Sequence, residues 1–142
     1  MYNNADHPRM GAVFQKRVKQ WFEEHYQKDF IMEKKLPIGN PPKDHKFDIV
    51  AADDSIVIEC KRYTWTETWN VPSAKMGTTN EAVFYLSFLP DAYEKYVVML
   101  KAVNKKRNET LAEYYYKTNR HLLGNVTVME YDPELDIMRV IG

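Results

Sequence analysis

Apolar side chains near the start of the chain recur with a helical step: Phe14, Val18, Trp21 and Phe22 stand at i, i+4, i+7 and i+8, with Met10 one turn before them. That stripe predicts an amphipathic helix over residues 11–27. FIMEKKLPI, residues 30–38, then mixes aromatic, β-branched and charged residues before Pro37 and the turn-forming GNPP, the composition of an edge strand. Two β-rich runs follow, FDIVAA and SIVIECKRYTW, and Asp53 and Asp54 between them predict a hairpin. TWTETWNVP reads as an aromatic loop. In SAKMGTTNEAVFYLSFL, Thr78 and Glu81 have the spacing of a capping box, which favours a helix ending near Leu89 and Pro90. AVFYLSFL alone is short enough to fit a strand as well. YVVMLKAV, residues 96–103, has the continuous apolar character of a buried strand. NETLAEYYYKTNRHLLG predicts a helix capped by Asn108 and stopped by Gly124, and VTVMEY and DIMRVI form a strand pair turning at Asp132 and Pro133. The order α-β-β-β-α-β-α-β-β describes an α/β protein, a mixed central sheet flanked by helices.

The hairpin carries charges that a half-buried sheet disfavours. Side chains alternate along a strand, so Val57, Glu59 and Lys61 share one face and Ile56, Ile58 and Cys60 the other. A turn centred between Asp53 and Asp54 sets Asp48 directly opposite Glu59, with Cβ atoms about 5 Å apart. Two carboxylates at that distance repel each other unless a hard divalent cation lies between them. Lys61, one pleat farther on, brings an ammonium to the same place, and the three together suit phosphoryl transfer. A register slip of one residue would turn Asp48 to the other face. The competing reading is three solvated side chains and an ion pair worth no more than about 1 kcal/mol.

Composition narrows the classes. At 142 residues the chain fits one domain, residues 1–142, able to bury about 68% of its unfolded surface. With 44% hydrophobic and 28% charged residues it has the make-up of a globular protein. No apolar run approaches the ~20 residues of a membrane helix. MYNNADHPRM lacks the layout of a secretory signal, so the expected location is cytoplasmic, which makes the N-E-T glycosylation match at Asn108 a coincidence. One cysteine and four scattered histidines, at 7, 25, 45 and 121, lack the spacing of a structural zinc site. Zero formal net charge restricts nucleic-acid binding to a local patch. Cys60 as a nucleophile, with His45 or His121 as base, fails because period 2 turns its thiol to the apolar side.

The succession of a helix, a strand, Asp48 in "FDIV", Glu-x-Lys in "VIECK", then a helix and a further strand resembles the PD-(D/E)xK nuclease superfamily, over about residues 11–131. Phe47 stands where that motif has its proline. The resemblance implies a restriction-endonuclease-like core and a Mg²⁺- or Mn²⁺-dependent endonuclease acting on DNA in restriction, repair or defence, leaving a 5′-phosphate and a 3′-hydroxyl. It implies Asp48 and Glu59 as metal ligands, the Cys60 backbone carbonyl as a further ligand, and Lys61 as the group that orients water. A structure-selective nuclease resembling Holliday-junction resolvases is the alternative within the enzyme class. An inactive nuclease-fold DNA-binding or regulatory module is the alternative outside it.

Accessory candidates are Glu24 (or Glu23) on the first helix, His45 before the first strand of the hairpin, and Lys75 with Asn80 on the second helix. Arg62, Lys101, Lys105, Lys106 and Arg107 are candidates for phosphate contacts, and Tyr63, Trp65 and Trp69 for stacking on bases. Each has a plainer reading as a solvated charge or a core aromatic. Of Tyr114, Tyr115 and Tyr116, a helix must expose at least one, which suggests a dimer contact. A core this small leaves little room for sequence recognition, so the expected partners besides DNA are a second copy in a homodimer or a protein that supplies specificity.

Overall fold

A computed structural model describes residues 8–142; His7 lies outside them. Helix α1 (Pro8–Tyr26) precedes strands β1 (Phe30–Ile38), β2 (Lys43–Ala51) and β3 (Ile56–Lys61). Helix α2 (Ser73–Leu86), β4 (Glu94–Leu100), the short β5 (Val103–Asn104) and β6 (Glu109–Thr110), α3 (Leu111–Asn119), β7 (Val126–Asp132) and β8 (Ile137–Val140) complete the order. Six strands form one mixed sheet in the order β1-β2-β3-β4-β7-β8. β3, β4 and β7 are mutually parallel, and the outer pairs are antiparallel.

Two crossovers, one through α2 and one through α3, step in the same direction along the sheet. Right-handed connections then put both helices on one face. α1 covers the other. Strand residues alternate accordingly. Val97 and Met99 of β4 join Val83 and Leu86 of α2 and Leu111 and Tyr115 of α3, while Val98 and Leu100 join Phe14, Val18 and Phe22 of α1. β4 is thus buried on both faces, which explains its unbroken apolar run.

Several boundaries differ from expectation. The capping box lies at Thr110 and Glu113, at the start of α3, where the Thr110 hydroxyl accepts from the Glu113 N–H (3.2 Å) and the Glu113 carboxylate from the Thr110 N–H (2.7 Å). Asn108 instead turns the β5–β6 hairpin with φ of +53°, a conformation asparagine tolerates. Thr78 sits inside α2, its hydroxyl turned back to the Lys75 carbonyl (2.8 Å), because the helix already begins at Ser73. Residues 82–86 are helical, so the strand alternative for AVFYLSFL does not hold. Of the three tyrosines only Tyr115 is buried, and its hydroxyl donates to Asn80 Oδ1 (2.7 Å). Tyr114 and Tyr116 are half-buried beneath Arg107, Lys117 and Arg120, so none of the three stands free in solvent.

Candidate active site

β2 and β3 pair only at Ile49 with Ile58 and at Val50 with Val57. One step further that register sets Asp48 beside Glu59, as the hairpin's turn implied. There the strands part. Asp48 Oδ2 accepts the Cys60 backbone N–H at 2.7 Å, so a side chain takes over a donor that a continued ladder would have used. Across β1, Glu33 drops out of the pairing with φ of +56°. The kink shows in the packing: Phe47 and Ile49, two residues apart, lie in opposite cores. A left-handed residue opposite an acidic one is strain held in place by the surrounding sheet.

The parted strands and the first turns of α1 enclose an open cleft of about 330 Å³, whose lining includes Gly11, Gln15, Asp48, Glu59, Lys61 and Arg62. Gln15 fixes the rim by donating to the Asp48 carbonyl (2.9 Å). Glu59 is only 6% exposed. Burial first, then the charge of Asp48 and a hydrogen bond with its carboxyl, hold Glu59 well above the usual carboxylate range, against the lowering effect of Lys61. Burial and the same two carboxylates also push the Cys60 thiol up. Its side chain packs toward the α1 core, as the strand period requires, and it is no nucleophile.

His45 closes the back of the site. Its Nε2 is 3.7 Å from Glu59 Oε1, and its ring stacks on Tyr85 of α2 at 4.0 Å. Burial lowers its pKa, against the raising effect of Asp48 and Glu81. Lys61 and Lys75 both lie near Tyr63 of the cleft wall, 5.9 and 5.4 Å from that ring's centre, which brings Lys75 beside the cleft.

Other candidates fall elsewhere. Glu24 lines a separate cleft with Arg17, Trp21 and Asp136, because nine residues of helix carry it about 13 Å beyond Gln15. Glu23 is held by Lys19 (3.0 Å) and the Phe30 N–H (3.3 Å). Gln15, not Glu23 or Glu24, is the polar α1 side chain that lines the cleft, and nothing in its sequence neighbourhood marks it. Asn80 joins α2 to α3 through Tyr115 and Asn119. Trp65 is buried, with its indole N–H on the Ala102 carbonyl (2.8 Å), and Trp69 packs against the same core. Arg107 is shared between Glu109 (3.0 Å) and the faces of Trp65 and Tyr114. Lys101, 3.9 Å from Asp132, follows β4 at the same end of the sheet as Lys61, and Lys105 and Lys106 extend that end as exposed charges. Ligands of open α/β sheets commonly bind beyond the carboxyl ends of the strands.

The donor set accommodates one hard cation. Among the described residues no three His, Cys, Asp or Glu side chains converge. Mg²⁺, however, commonly binds through one or two carboxylates and keeps several waters. Asp48 and Glu59 supply two, in a cleft open enough for the waters, and the raised affinity of Glu59 for a proton is what a cation would compete with.

No protein-family model and no curated protein matches the chain. A solved structure is similar, that of Pyrococcus furiosus SfsA in complex with Ca²⁺: identity is 14%, the TM-score is 0.42, and the match covers 93% of this chain and 62% of that one. The chain therefore spans less than two thirds of that protein's length. The architecture stands on its own geometry: a six-stranded mixed sheet between one helix and two. No helix among the described residues is long and apolar enough to cross a membrane.

Proposed function

We propose that the chain is a divalent-metal-dependent nuclease of the restriction-endonuclease-like type that hydrolyses phosphodiester bonds of DNA. One observation carries this reading: Asp48 and Glu59 face each other in a cleft at a break in the sheet, and burial together with the charge of Asp48 holds the Glu59 carboxyl well above the usual carboxylate range even with Lys61 nearby. Asp48, Glu59 and the Cys60 carbonyl would hold the cation. Bound there, Mg²⁺ or Mn²⁺ polarises the scissile phosphate and lowers the pKa of the attacking water. Lys61 orients that water and offsets charge on the phosphate as it develops. Asp48 is held in place by the Cys60 N–H. His45 supports Glu59 from behind. Lys75, Arg62 and Lys101, with Lys105 and Lys106 farther out, are suited to the flanking phosphates.

The test is cleavage of linear, supercoiled and four-way-junction DNA in Mg²⁺, Mn²⁺ and EDTA by wild type, Asp48→Asn and Lys61→Ala. Cutting by wild type alone, abolished by EDTA, is the expected result, and preference for the junction would select the structure-selective form. Absence of cutting on every substrate in both metals would contradict the enzyme and leave a DNA-binding module.

A further inference from the structure

Behind Glu59, on the α2 side of the sheet, lies a second groove of about 290 Å³, lined by Ile38, Lys43, Asp44, His45, Tyr85 and Phe88 among others. Cross-strand pairing explains how these residues meet. Ile38 stands opposite Lys43 and Leu36 opposite His45, so this face of the β1–β2 ribbon presents an aliphatic floor, an imidazole and an ammonium together. α2 supplies the other wall. Tyr85 is stacked on His45 with the rings 19° apart. Phe84 and Phe88 remain 59% and 47% exposed, edge to face at 5.0 Å, an arrangement that costs hydration without filling any core of the chain.

The geometry points to this groove as a binding site for an unpaired nucleobase of the substrate strand, stacked on Phe88 with its phosphate toward Lys43. The inference rests on the nuclease reading above and narrows its substrate to DNA with a single-stranded portion. Three features favour that occupant. Base faces stack on aromatic rings whatever the sequence. The ring nitrogens of His45, in the groove wall, can hydrogen-bond to the edge of a base. His45 touches both places, 3.7 Å from Glu59 and within the groove wall, so the groove that holds Phe88 and the Asp48–Glu59 pair share a residue between them. A second copy of the chain is the weaker occupant. Stable homodimers bury about 800 Å² on each partner, and two exposed phenylalanines beside a groove that also carries Lys43 and Asp44 supply a small part of that.

Fluorescence anisotropy in EDTA separates this site from catalysis. Wild type, Phe88→Ala and Phe88→Tyr would be titrated with labelled oligothymidylate and with a blunt duplex, and their sedimentation compared. Loss of one stacking contact corresponds to about fivefold or more in affinity. Phe88→Ala should therefore weaken oligothymidylate at least about fivefold, Phe88→Tyr should restore it, and duplex affinity should stay unchanged. Unchanged oligothymidylate affinity, an equal loss on duplex, or a wild-type dimer that Phe88→Ala dissociates would each overturn the proposal. Because binding is read without metal, a failure of the cleavage test leaves this result standing, and the reverse holds too.

Discussion

Two glutamates are buried in this sheet, and their surroundings are opposite. Glu130 of β7 is 2% exposed and lies directly across from Arg139 of β8, whose guanidinium reaches it at 2.8 and 3.2 Å and also reaches Glu113 on α3. Glu59 of β3 is 6% exposed and lies across from Asp48, another acid. The same residue type at the same depth thus has its counter-charge built into the fold in one place and a like charge in the other. A buried ion pair with its partner present is a structural element. A buried acid set against a second acid raises its own pKa, and such groups cluster at functional sites. The comparison teaches that burial alone does not distinguish the two glutamates; the like charge set opposite Glu59 does.

Substitution should separate the two regions most sharply through activity. Asp48→Asn is expected to lower the DNA cleavage rate by about a thousandfold, roughly 4 kcal/mol of barrier, while leaving the metal-free protein at least as stable, since it removes the repulsion with Glu59. Single-turnover cleavage and urea unfolding measure the two effects. Arg139→Ala should do the reverse: a loss of about 2–3 kcal/mol in urea unfolding, moderated because Arg139 is half exposed, with the metal affinity of the Asp48 pair unchanged.

pH sharpens the contrast. Glu59 titrates higher in the folded than in the unfolded chain, so above about pH 4.5 the folded protein holds the extra proton and stability falls as pH rises toward the raised value. Glu59→Gln should flatten that slope. Mg²⁺ competes with the same proton, so its stabilisation, followed as the shift of the thermal midpoint, should be larger at pH 8 than at pH 5. The smallest expected effect is that of Gln15→Ala, about 1 kcal/mol for its hydrogen bond to the Asp48 carbonyl, with weaker Mg²⁺ binding as the accompanying change.

The helical stripe made α1 legible, β-rich composition and turn residues β1 to β3, and an unbroken apolar run β4, though that strand covers Glu94–Leu100 and not 96–103; the Asp53–Asp54 turn implied the register that brings Asp48 to Glu59. The site's supporting residues were less so. Thr78 with Glu81 and Thr110 with Glu113 carry the same spacing, and only the tertiary position of the helix start selects the second as the capping box. Gln15 has an ordinary polar side chain, given its role by the parting of β2 from β3, which no local pattern marks, any more than one marks the left-handed residue Glu33 on β1. The Glu130–Arg139 pair needed the pairing of β7 with β8 before its charges could be seen to match.

Calorimetric titration of Mn²⁺ into wild type and Asp48→Asn at pH 6, in two buffers of different ionisation enthalpy, tests the central claim most directly. One site in the wild type, a heat that changes with buffer because a proton leaves the carboxylate pair, and no site in the variant is the expected result. Absence of binding by the wild type, or equal binding by Asp48→Asn, would contradict it.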